Sequence, residues 1–170
     1  MADCLTPAGA VARGALAGIA GTAVMTGWQL LAAKLRAPGE KDTGAQDDPP
    51  QDPWDAASAP AKVAKRIGEG VFQREVSPDL IPLLTNVMHW GYGTGWGAVY
   101  GIAAGGRQVG TVRAGAAFGT AVWASSYAQL VPMGLYEPPW KYPPAELALD
   151  LSYHVVYGLG AAAAFRVLAR

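Results

Sequence analysis

The chain has 170 residues, of which 51% are hydrophobic and 15% are charged, and its 13 Lys and Arg residues balance 13 Asp and Glu residues. A net charge of zero gives no electrostatic attraction for nucleic acid, so nucleic acid is not an expected partner. The length suits a single domain. The apolar residues are not spread evenly along the chain, and their distribution indicates the fold class.

Four runs of the sequence have almost no charged side chains: residues 14–33, 80–106, 114–136 and 147–165, the last interrupted only by Asp150. A helix that crosses a bilayer needs about 20 mainly apolar residues. Four buried helices of a soluble bundle are the alternative, but such helices carry a polar face. We therefore predict an all-α protein, a polytopic transmembrane four-helix bundle in which residues 1–170 form one membrane domain. The predicted spans are about residues 14–34, 80–104, 113–133 and 146–167.

The first predicted span follows Arg13 near the N-terminus. A secretory signal has an apolar core of only about 7–15 residues and ends at a small-residue cleavage site. This run is longer, and Lys34 follows it directly. We therefore interpret it as an uncleaved span.

A polar connection, residues 36–79, follows the first span and predicts an extramembrane loop. Its first part is acidic and rich in Pro and Gly, a composition that does not build a core. In residues 61–75, Val63 and Ile67 recur at helical spacing with basic residues on the other side. This pattern predicts a short amphipathic helix. Two positions are open for it: the membrane interface, or the outside of the bundle.

The second span carries glycine at every fourth position, and the other spans contain small residues at the same spacing. In lipid, small residues allow helix backbones to approach closely, and close approach favours helix association. We therefore predict helix-packing seams, and they also make a homo-oligomer in the lipid bilayer an expected assembly. The predicted packing glycines are Gly93, Gly97, Gly101 and Gly105, with Gly14 and Gly18 in the first span and Gly115 and Gly119 in the third.

Both histidines of the chain fall early in a span, His89 in the second and His154 in the fourth. The two spans run in the same direction, so at ~1.5 Å rise per residue both imidazoles are expected ~10–14 Å below one surface. Asp150 lies one helical turn before His154, and Glu146 one turn earlier. Ser125 and Ser126 of the third span are expected at a similar depth. We interpret these six residues as a candidate intramembrane polar cluster.

Ionisable residues inside a membrane are costly and indicate function. The cluster is compatible with a proton-linked role or a path for a small solute, and also with a structural hydrogen-bond network. A bis-His site for haem or a metal ion at His89 and His154 is a further alternative, although no attachment motif accompanies it. No other cofactor is expected. Signatures of hydrolases, zinc proteases and nucleotide-binding loops are missing from the sequence, so we expect no enzymatic activity. The remaining alternative is a structural or partner-binding membrane subunit.

Four segments, in order, carry a family resemblance: "NVMHWGYGTGWGAVYG", "RAGAAFGTAVWASSY", "PMGLYEPPW" and "ELALDLSYHVVYG". Together they resemble the YagU-like family of bacterial inner-membrane proteins over about residues 86–158. The resemblance implies a plasma-membrane location with both termini in the cytoplasm, and it implies no reaction. The positions that carry it are His89, Pro132, Gly134, Leu135, Pro139, Trp140, Asp150 and His154.

Overall fold

The computed structural model describes residues 6–36, 52–105 and 110–170, and all regular structure in these residues is helical. The predicted all-α fold is confirmed at this level. Five α-helices follow one another along the chain: α1 (Pro7–Leu35), α2 (Ala59–Gly70), α3 (Ile81–Ala104), α4 (Thr111–Leu130) and α5 (Pro144–Leu168). Residues 37–51 of the predicted extramembrane loop lie outside the described residues.

Local sequence signals place two helix ends away from the predicted spans. α1 begins before residue 14, because Thr6 caps it by accepting a hydrogen bond from the Gly9 amide at 3.1 Å, and Pro7 suits the first helical position. α4 ends at Leu130 rather than near residue 133. After the end of α4 the chain turns at Gly134, which adopts a φ of +65°, a conformation that glycine reaches without strain.

The amphipathic helix is shorter than the predicted range of residues 61–75, since α2 covers Ala59–Gly70. The prediction followed apolar spacing through Val71, but the chain leaves the helix after Gly70, and Gln73 adopts a φ of +50°. α2 packs against α3. A hydroxyl contact of 2.9 Å between Ser58 and Thr85 fixes its start.

α1 and α3 are antiparallel and meet through glycine on both sides. Gly97 lies directly against Gly18, and a Cβ atom on Gly97 would stand 2.6 Å from the Gly18 amide nitrogen. Gly101 lies in the same way against Ala10 and Gly14. The two backbones are therefore in direct contact, and the seam has no room for a larger side chain at these positions.

α4 and α5 form a second antiparallel seam of the same kind. A Cβ atom on Gly158 would stand 2.6 Å from the Gly119 amide nitrogen, and one on Gly115 would stand 2.8 Å from the Gly158 carbonyl oxygen. α1 joins the two pairs by packing on α5, where a Cβ atom on Gly160 would lie 3.2 Å from the Gly21 Cα. The result is an up-and-down bundle whose closest helix contacts are made by backbone.

α3 and α4 are held together differently, through large rings. Phe118 of α4 lies between Trp96 and Tyr100 of α3, with ring centroids 6.3 and 4.8 Å away. Nearer the loop end of the bundle, the Gln129 amide donates to the Tyr92 hydroxyl at 3.1 Å. Side chains rather than backbone therefore span the gap between these two helices.

The bundle leaves large aliphatic side chains exposed and buries small and aromatic ones. Ala17, Tyr157 and Phe165 are buried. By contrast, Leu16 and Leu30 of α1 are 55% and 62% exposed. Soluble bundles bury their large apolar residues and expose polar ones. By length and composition, α1 and α5 can each cross a membrane. Only 33% and 28% of the residues in the most apolar 18-residue stretch of each helix are buried.

α3 and α4 do not reach the same mean hydropathy, because Gly, Ser and aromatic residues lower their aliphatic content.

Candidate functional site

A cavity of about 380 Å³ opens between the four long helices at the end of the bundle where α1 finishes and α3 starts. Its wall includes four of the predicted cluster residues: His89, Ser126, Asp150 and His154. α2 covers one side with Pro60 and Val63, and most of the remaining wall is apolar. At ~1.5 Å rise per residue, the two histidines lie at comparable depths from their helix starts, which agrees with their positions at one cavity.

His154 is oriented by its own helix. Its Nδ1 atom lies 2.9 Å from the carbonyl oxygen of Asp150 and 3.6 Å from the carboxylate Oδ1 of the same residue. A carbonyl oxygen only accepts hydrogen bonds, so this contact places the proton on Nδ1. In the neutral ring, Nε2 is then the basic nitrogen, the one that can accept a proton.

Asp150 has two hydrogen-bond donors that sequence reasoning missed. Its Oδ2 accepts from the indole Nε1 of Trp123 at 2.9 Å and from the hydroxyl of Tyr127 at 3.2 Å. Both donors stand on α4, four residues apart on one face. Buried Trp and Tyr usually direct their polar atom to a partner, and this spacing within an apolar helix was the available signal. The carboxylate is thus held from α4, and its Oδ1 is the freer oxygen.

His89 enters the cavity from α3 and has no hydrogen-bond partner within residues 6–36, 52–105 and 110–170. Its neighbours Met88 and Tyr92 also line the cavity. The two histidines therefore differ: His154 is fixed by its own helix, and the nitrogens of His89 are available to whatever occupies the cavity.

The cavity described so far is called the inner cavity, and Glu146 and Ser125 lie apart from it. Glu146 lines an adjacent outer cavity of about 330 Å³ together with Arg36 and Tyr142, and Asp150 lines both cavities. The predicted stripe from Glu146 through Asp150 to His154 therefore passes from the outer cavity to the inner one. Ser125 instead donates to the Val122 carbonyl at 2.7 Å on the α3 side of α4.

Tyr136 lies in the turn between α4 and α5 and also lines both cavities. Burial, and then the negative charge of Asp150, raise the pKa of its phenol to about 12. An unfolded tyrosine has a pKa of about 10, so between those values the unfolded chain loses a proton that the folded chain keeps. Stability present below about pH 10 should therefore fall as the pH rises towards 12.

The Tyr136→Phe variant should lose less stability over that alkaline range than the parent protein. The tyrosinate absorbance of the parent minus that of Tyr136→Phe should show one phenol ionising near pH 12. A difference spectrum with its midpoint near pH 10 would contradict this assignment.

No group of three His, Cys, Asp or Glu side chains placed to hold a metal ion occurs in the described parts of the chain. A bis-His site needs only His89 and His154, and both line the inner cavity. Comparisons with family models, with curated proteins and with solved structures gave no match to this chain.

Proposed function

We propose that the chain is an integral membrane protein with four spans, α1, α3, α4 and α5. These helices have 29, 24, 20 and 25 residues, and about 20 residues are needed to cross a bilayer. Small residues inside and large aliphatic residues outside support this proposal, because in lipid the apolar exterior carries no penalty and close backbone contact favours association.

The resemblance to the YagU-like family extends the proposal to a bacterial plasma membrane with both termini in the cytoplasm. α2 and Trp140 would then lie on the outer side. Trp140 is 82% exposed, and Cys4 is the one native cysteine, so the two positions make a topology test. An impermeant maleimide should label Trp140→Cys, in a Cys4→Ser background, in intact spheroplasts. It should label native Cys4 only after lysis, and the reverse pattern would contradict the orientation.

We propose further that the protein is non-enzymatic and responds to protons at the inner cavity. The observation that carries this proposal is that His89, Asp150 and His154, from two helices, line one cavity. Histidine changes its charge near neutral pH, so acidification would add positive charge to a cavity that otherwise contains a single carboxylate. The polar contents of such a cavity, whether water or a small solute, depend on that charge.

Single His89→Gln and His154→Gln variants in liposomes test this proposal. We expect pH-dependent proton or solute flux, followed with an internal pH dye, to be lost in both variants while the melting temperature is unchanged. Asn86→Ala is the matched control, because Asn86 lies one turn before His89 and, within the described part of the chain, its side chain donates only to the Pro82 carbonyl. Loss of stability without any pH-dependent flux in the parent protein would instead favour a structural subunit.

The two alternatives predict different observations. A subunit that joins protomers through its glycine seams would need those seams to be free, but Gly14, Gly18, Gly115 and Gly119 all contact helices of the same chain. Haem ligation by both histidines predicts Soret absorbance in protein expressed with ample haem. That absorbance should vanish in either Gln variant if haem is bound there.

A further inference from the structure

We infer that the inner cavity binds a small organic cation, and that protons compete with it. This inference rests on the proposed proton response and names the class of solute. It follows from the charge, the wall chemistry and the volume of the cavity.

The charge of the cavity comes from very few groups. α1, α2 and α4 contribute no charged or titratable lining side chain. The titratable lining side chains come from α3, from α5 and from the turn that follows α4. They are His89 and Tyr92 of α3, Asp150, His154 and Tyr157 of α5, and Tyr136 of the turn. With both histidines neutral, the Asp150 carboxylate is the only charge among the described residues of the wall. A wall with this charge attracts cations and repels anions.

Two basic side chains approach the cavity without lining it. The guanidinium of Arg66 on α2 donates to the carbonyl oxygen of Met133, a residue that lines the cavity. Arg36 lies in the outer cavity, on the same side as Glu146. Neither cation is among the described residues that line the inner cavity.

The wall suits an organic cation better than a metal ion. Tyr92, Tyr136 and Tyr157 line the cavity, and the faces of aromatic rings attract cations. Met25 and Met88 supply polarizable apolar surface. A bare alkali or alkaline-earth ion requires about six or more oxygen ligands close together, whereas most of the wall of this cavity is apolar. A volume of about 380 Å³ lies in the range of small-molecule sites.

Competition with protons follows from the position of His154. Its Nδ1 atom is 3.6 Å from the freer oxygen of Asp150, so a protonated imidazole would supply the positive charge that this carboxylate otherwise draws from a ligand. His89, which has no hydrogen-bond partner among the described residues, would add a second positive charge. Cation binding must then release protons, and protons must weaken cation binding by the same factor.

Benzyltrimethylammonium and its neutral isostere neopentylbenzene form a matched pair of probes, because they share one shape and differ in charge. We expect calorimetry on the full chain in lipid nanodiscs to detect the cation at about pH 8. Affinity should fall at least about tenfold at about pH 5.5, which is below the ordinary pKa of a free histidine side chain. The neutral isostere should bind at least about tenfold more weakly than the cation at pH 8. Equal binding of the two probes would overturn the inference.

Asp150→Asn should abolish the preference for the cation, since the amide keeps an oxygen for Trp123 and Tyr127 but removes the charge. Glu146→Gln is the control, because it removes a carboxylate one turn away that lines only the outer cavity. If Asp150→Asn fails to fold, His154→Gln gives a second test and should make cation binding less dependent on pH.

The failures of the inference and of the proposed function are distinguishable. Preference for benzenesulfonate over the cation at both pH values would overturn the cation class and leave the proton response standing. Cation binding that is equal at both pH values would overturn the competition with protons. Charge-selective binding without any pH-dependent flux in liposomes would contradict the proposed function and leave the cation site intact.

Discussion

Replacing Gly97 by Ala should destabilise the protein by about 2 kcal/mol or more, although alanine is the better helix former. The added methyl group would stand 2.6 Å from the Gly18 amide nitrogen, and it would also overlap with the Gly18 Cα and the Gly14 carbonyl oxygen. All three atoms belong to the α1 backbone, so no rotamer change can relieve the overlap. The two helices must move apart along the seam.

Gly95 provides the matched control, because it lies two residues away on the same helix and a Cβ atom there would meet no described atom within 4 Å. Gly95→Ala should be neutral or stabilising by up to ~1 kcal/mol. Unfolding of both variants in mixed micelles, followed by helical circular dichroism, gives the comparison. Equal stability of the two variants would show that the α1–α3 seam is not as close as described.

Asp150→Ala should cost about 2–4 kcal/mol, since it leaves the Trp123 indole N–H and the Tyr127 hydroxyl without their acceptor. An unmatched polar group away from water costs about 1–3 kcal/mol. Removal of the charge alone should cost less, so Asp150→Asn should retain most of the stability. Glu146→Ala, one turn earlier in α5, should lose at most ~1 kcal/mol, the contribution of an acid in the first turn of a helix.

A double-mutant cycle with Trp123→Phe isolates the hydrogen bond from the other roles of Asp150. If the 2.9 Å contact is the main contribution, Asp150→Ala should cost markedly less in the Trp123→Phe background. Additive effects would contradict the proposed hydrogen bond. Stabilisation by Asp150→Ala would show instead that desolvation of the carboxylate outweighs its two donors.

The helices could be predicted from the sequence, because run length and four-residue spacing depend only on helix geometry. The sequence also placed both histidines early in two parallel helices, but it did not predict the cavity. Equal depth of His89 and His154 followed from the lengths of two parallel spans. The glycine contacts followed from spacing alone, and the structure uses them between α1 and α3 and between α4 and α5.

Helix rotation could not be predicted, since helices with little amphipathicity carry no signal for which face turns inward. Ser125 and Ser126 are adjacent, so a rotation of about 100° decides which one lines the cavity, and the structure selects Ser126. The donors to Asp150 were missed for the same reason, because the α4–α5 seam at Gly115 and Gly119 sets that rotation. The end of α2 was predicted too late, because apolar residues continue at helical spacing beyond Gly70 although the helical backbone ends there.

The different construction of the α3–α4 contact makes this side of the bundle the place to redesign the cavity. Elsewhere the helix spacing is set by backbone atoms and cannot be varied without moving a whole helix. Between α3 and α4 it is set by side chains such as Tyr92 and Phe118, which can be shortened one at a time. Substitutions there should change the volume of the cavity while the three glycine-lined contacts keep the scaffold constant. An engineered binding protein with a graded series of cavity sizes is a practical use of this asymmetry.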